Sequence, residues 1–67
     1  MSSVPVAMLG DTHPIVGRVR LRLNVPGGDL LDRPLVEILK GVQHGNHIPM
    51  TGWIDEQTLS CLDITLY

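Results

Sequence analysis

Two histidines three positions apart, His44 and His47, are the first residues of this chain whose type and spacing suggest chemistry. With His13 or Asp55 they would offer nitrogen and oxygen ligands of the kind zinc takes. A structural zinc site needs four ligands and no fourth stands at a motif spacing, so neither a metal nor another cofactor is expected. The simpler role is at a helix end, where an imidazole complements the negative pole of the dipole. A hydrolytic site would need a nucleophile beside a base, or two carboxylates across a cleft. The candidates are Ser60, Cys61 and Asp55, on one short segment whose apolar side is needed for a core. A chain of 67 residues has little room for a catalytic cleft as well, and no enzymatic activity is expected. Cys61 is the only cysteine, which excludes an internal disulfide and suits a small buried residue.

Residues suited to recognition are few. Arg18 and Arg22 are four apart and share a face if the segment is helical, with Arg20 elsewhere on the cylinder. Such a row is either a solvated face or a patch that pairs with acidic groups of a neighbouring protein through the bidentate guanidinium. It is the one local excess of positive charge in a chain of net charge −2, so nucleic acid is not an expected partner. There is one Trp, Trp53, one Tyr, Tyr67, and no Phe. The core must be aliphatic, and the two aromatics are candidate contact residues. Trp53 would stack on a sugar face, anchor an interface, or pack as a lid across a helix start.

The elements that must position these residues follow from periodicity and punctuation. Residues 1–12 hold Pro5 and Gly10 and no helical period, which predicts an extended arm. Thr12 or His13 can cap a helix with Pro14 in its first turn. Val19 to Val25 alternates strictly, as a half-buried strand does, yet Ile15, Val16, Val19 and Leu23 share one helical face. Local pattern alone favours the strand. Pro26-Gly27-Gly28-Asp29 must be a loop. Asp32 can cap a second helix from about Arg33 to Gln43, with Leu35, Ile38, Leu39 and Val42 as its apolar stripe. Gly45-Asn46 ends it, Ile48 to Gly52 cross back, and Asp55 caps a last helix with Leu59 and Leu62 inward. Residues 63–67 should leave it as an extended tail.

The run Gln43-x3-His47-Ile48-Pro49-Met50-Thr51-Gly52-Trp53-Ile54-Asp55-x2-Thr58-x3-Leu62 therefore reads as helix end, fixed turn and helix start. It resembles the C-terminal half of the peptidoglycan-binding module found beside bacterial and phage lytic enzymes, Phe-Gln-x3-Gly-Leu-Pro-x-Thr-Gly-x2-Asp-x2-Thr-x3-Leu. Gln43, Ile48, Pro49, Thr51, Gly52, Asp55, Thr58 and Leu62 match in register, and Val16, Val19, Arg20 and Leu23 occupy the places of its first helix, Val-x2-Leu-Gln-x2-Leu. The resemblance covers residues 13–62. It implies an all-α, three-helix domain there, flanked by the arm and tail, and it decides the 19–25 segment for helix. The family's Asp-Gly-x-Phe-Gly-x2-Thr before helix two is replaced by Gly28-Asp29-Leu30-Leu31-Asp32-Arg33-Pro34-Leu35. Val42 stands for the Phe and His47 for the Gly, so the fold should carry over better than the ligand.

Two functions from different classes follow as expectations. In the family the module is itself non-catalytic and holds peptidoglycan for a lytic partner. The favoured alternative is a structural interaction protein that reuses the fold, a small bacteriophage virion component such as a capsid decoration or a head or tail accessory protein. A composition of 43% hydrophobic and 18% charged residues argues for a folded chain. No apolar run approaches the roughly 20 residues that span a bilayer, and Met1 to Gly10 lack the features of a secretory signal. Synthesis in the host cytoplasm and residence in a virion, with no membrane partner, is the expected course. Val4, Val6 and Leu9 of the arm and Ile64 and Leu66 of the tail are suited to lie against neighbouring virion proteins within a larger assembly.

Overall fold

The helix starts are set by side chains that accept otherwise unpaired first-turn amides. The computed structural model describes residues 4–64, and within them lie three helices, α1 (Pro14–Leu23), α2 (Arg33–Gly45) and α3 (Glu56–Cys61). His13 Nδ1 accepts from Ile15 N at 3.0 Å, Asp32 Oδ1 from Leu35 N at 3.1 Å and Asp55 Oδ1 from Thr58 N at 2.9 Å. Pro14 and Pro34 sit in first turns, where a missing amide costs nothing. The residues before two of these caps, Leu31 and Ile54, are fully buried, and so, nearly, are Val36 and Leu59 at the fourth helical positions. That is the placing of a hydrophobic staple, and at α3 it falls to Ile54 rather than to Trp53.

All three helices end in the same way. The amides of Val25, Ile48 and Ile64 bond back to the carbonyls of Arg20, Gln43 and Leu59, and each follows a residue with positive φ: Asn24 at 60°, His47 at 59° and Asp63 at 58°. This is the Schellman pattern, in which the left-handed residue is usually glycine.

The ambiguous 19–25 segment is helical as far as Leu23. A strand would set Val19 and Leu21 on one face, whereas Val19 is fully buried and Leu21 is 84% exposed. Helical geometry also places Arg20 beside Val16, Val19 and Leu23, and it is buried with the first two while Leu23 is partly buried. Arg20 thus does not contribute to a surface patch with Arg18 and Arg22. In α2, which runs two residues past its expected end, the buried stripe is Leu35, Val36, Leu39 and Gln43. Ile38, expected inside, is exposed, because the stripe turns to bring Gln43 inward.

α2 and α3 pack together as a hairpin around an aliphatic core of Ala7, Ile15, Val16, Val19, Leu31, Leu35, Val36, Leu39, Ile54, Leu59 and Leu62. Among the described residues there are no strands, only two isolated antiparallel bridges, Ala7 with Ile54 and Thr12 with Leu30. Both belong to the segment expected as an arm. Residues 6–13 run as a strap: Val6 N and Ala7 N donate to Ile54 O, Gly10 N to Leu31 O and His13 N to Asp29 O. The strap ties the α2–α3 turn and the α1–α2 loop to one strip of chain, and Ala7 completes the core with no exposed surface.

Candidate functional site

The spaced motif folds into a single buried node. Gln43 lies on the apolar stripe of α2 and is fully buried, so its amide must find partners within the protein. Its Oε1 accepts from Gly52 N at 2.9 Å. Its Nε2 reaches Thr58 Oγ1 at 2.9 Å, Trp53 O at 3.1 Å and Thr51 Oγ1 at 3.3 Å. Thr58 Oγ1 in turn lies 2.8 Å from Asp55 Oδ1, the oxygen that caps α3. Gly52, at φ 75°, has no space for a side chain, since a Cβ would stand 2.6 Å from Val36 Cγ1. Gln43, Thr51, Gly52, Asp55 and Thr58 are all motif positions, and their spacing is what lets one amide close the turn.

The node holds the backbone of Trp53 but not its ring. Trp53 N donates to Thr51 Oγ1 at 3.1 Å, its carbonyl faces Gln43 and Thr58, and the residue is half-buried. Beside α3 a shallow groove is lined by Ile48, Glu56, Gln57, Ser60 and Cys61. This brings Ser60 and the half-buried Cys61 together with one carboxylate and no imidazole, while Asp55 is turned inward to Thr58. His44 and His47 are exposed and His13 is committed to its cap. Among the described residues no group of three or more His, Cys, Asp or Glu is placed to hold a metal ion.

The arginines have separate roles. Arg22 Nε donates to Leu62 O at 2.8 Å, fastening α1 to the end of α3. Arg18 is exposed and engaged in an interaction of its own. Arg20, only 6% exposed, donates to Pro26 O at 3.0 Å and Leu30 O at 2.8 Å and pairs with Asp32 at 3.3 Å. Its Nε is buried with no hydrogen bond to the protein, and the bare backbone of Gly27 lies against the guanidinium. A polar residue on an apolar helical stripe was the available signal for Gln43 and Arg20 alike. The strap presents Leu9 at 49% exposure, with Met8, Val4 just before it and Leu30 of the paired loop also exposed; Val6 and Ile64 pack against the core. Leu66 and Tyr67 lie outside the described residues.

No helix among the described residues is long and apolar enough to cross a membrane. Compared with family models, curated proteins and solved structures, the chain matches none of them.

Proposed function

We propose that this chain is a non-catalytic interaction module, a small accessory component of a larger assembly of the bacteriophage virion kind, built on a peptidoglycan-binding-like fold. The observation that carries this reading is the apolar surface of the strap. Val4, Met8 and Leu9 are exposed on or beside backbone that is itself hydrogen-bonded to the domain, and Leu30 stands next to it across the Thr12 bridge. Side chains held out on fixed backbone lose little entropy when a partner covers them, which suits a docking edge. The buried polar side chains are used inside: Asp55 caps, Gln43 and Thr58 close the turn, and Arg20 holds the α1–α2 loop.

A second reading, retention of peptidoglycan, draws on the coincidence of the matched positions with the Gln43 node. Because Gln43, Gly52, Asp55, Thr58 and Leu62 are buried, they support the scaffold of the family more than its ligand contacts. One experiment separates the two. Particles purified on a density gradient from cells producing the chain should carry it, and a Met8→Asp, Leu9→Asp variant that keeps the circular-dichroism spectrum of the parent should stay at the top of the gradient. A parent chain that never enters the particle fraction but pellets saturably with washed sacculi would sink the first reading in favour of the second.

A further inference from the structure

Two neighbouring residues near the end of α1 are left incompletely used by the fold. Leu21 is the most exposed of the described large apolar residues. Arg20 is buried; Nη1 and Nη2 have the carbonyls of Pro26 and Leu30 and the Asp32 carboxylate, while Nε, also buried, has no acceptor from the protein. A buried N–H without a partner is costly, and native structures seldom leave one.

The two residues meet at a cleft. Arg20, Leu21, Asn24, Val25 and Pro26 line about 200 Å³ at the C-terminal end of α1, with Leu21, Val25 and Pro26 as apolar walls. The walls are preformed, because the amides of Asn24 and Val25 are bonded back to the carbonyls of Leu21 and Arg20. The cover over the guanidinium is light: Gly27, at φ 143°, lies against it without a side chain, and Gly28 follows with open space where a Cβ would stand. Two glycines in succession let the backbone shift by the small amount that uncovers Nε. Charge in this region is already of both signs. Arg20 pairs with Asp32, Arg22 donates to the Leu62 carbonyl, Arg18 is engaged, and the Asp29 carboxylate lies over Gly17, one turn before Leu21. What the cleft lacks is an acceptor atom rather than a countercharge, so a neutral carbonyl suits it better than an anion.

We propose that this cleft docks an extended segment of a partner protein, which seats an aliphatic side chain between Leu21, Val25 and Pro26 while its main-chain carbonyl accepts from Arg20 Nε. An extended peptide offers that pairing of apolar side chain and unpaired carbonyl, and Gly27 gives way as the carbonyl enters. The cleft shares no residue with the Met8 and Leu9 edge, so it stands or falls apart from the strap reading.

The test is a proton–nitrogen NMR titration with N-acetyl-leucinamide, which carries one such side chain and neutral carbonyls. The Arg20 Nε–H resonance, visible because burial slows its exchange with water, should shift saturably together with the Asn24 and Val25 amides. Binding should weaken about fivefold in Leu21→Ala, a variant at an exposed position that leaves the core intact, and by at least about as much when N-acetyl-glycinamide replaces the probe. An Nε–H resonance that does not move, or that moves equally with the glycine analogue, overturns the proposal. So does an exchange cross-peak that finds a resident water on Nε in the free chain, or tighter binding of the carboxylate N-acetyl-leucine than of its amide.

Discussion

Two buried polar hubs hold this domain together, and they are built on opposite plans. The Gln43 hub closes the α2–α3 hairpin with a neutral amide whose donors and acceptor are all met, by partners eight to fifteen positions along the chain. The Arg20 hub closes the α1–α2 connection with a charge, takes two carbonyls and a partly solvated carboxylate, and leaves Nε without a protein partner. A neutral, fully satisfied hub loses everything when its one central side chain is removed. The charged one has already been partly compromised by the cost of burying a guanidinium.

The largest expected effect tests that asymmetry. Gln43→Leu keeps volume but strands the Gly52 amide and takes one donor from each of the Thr58 and Trp53 oxygens, which keep their bonds to Asp55 and to each other, and should cost about 3–5 kcal/mol in urea unfolding, enough to unfold much of a domain this small. Gly52→Ala comes next at about 2–4 kcal/mol, the sum of a positive φ and the collision with Val36. Arg20→Met should cost less, about 1–3 kcal/mol, since desolvation of the charge is relieved while Asp32 remains both half-exposed and a cap. If Arg20→Met proved costlier than Gln43→Leu, the ranking of the two hubs would be reversed. The smallest effect is a gain: His47→Gly should stabilise by about 0.5–1 kcal/mol by relieving the left-handed backbone, and Asn24→Gly by less because Asn tolerates it. Equal gains at both sites would mean that the turn, not the backbone conformation, limits the hairpin.

The same contrast explains what could be read in the sequence. The partners of Gln43 lie close along the chain, so the hub leaves a spaced pattern, and the α2–α3 turn and the Asp55 cap were legible from it; Asp32 was legible as a cap from the Pro34 behind it, and the α1 cap was narrowed to Thr12 or His13. Arg20 draws on Pro26, Leu30 and Asp32 through a loop with no fixed spacing. Its own segment alternates like a strand, and Arg20 was set apart from Arg18 and Arg22 on the cylinder without its loop partners being legible. The inward turn of α2 was misjudged for a related reason: Ile38 is the more apolar residue, but satisfying Gln43 decides which face is buried. The strap was hidden because its partners, Ile54 and residues 29–31, lie far along the chain and are met through backbone groups that carry no residue signature. Leu9 was legible as an exposed arm residue, whereas its grouping with Met8 and with Leu30 of the paired loop became visible only through that pairing.

The bridge between Ala7 and Ile54 also bears on the order in which the chain folds. Contacts of the hairpin close short loops and should form early, whereas joining residue 7 to residue 54 closes a far longer loop and should wait for the rest. The last event on the path is therefore expected to seat Ala7 over Ile54. Any load placed on the N-terminal side, whether a fusion partner or a docking protein that pulls on the strap, acts on that final step and is felt as a change in unfolding rate.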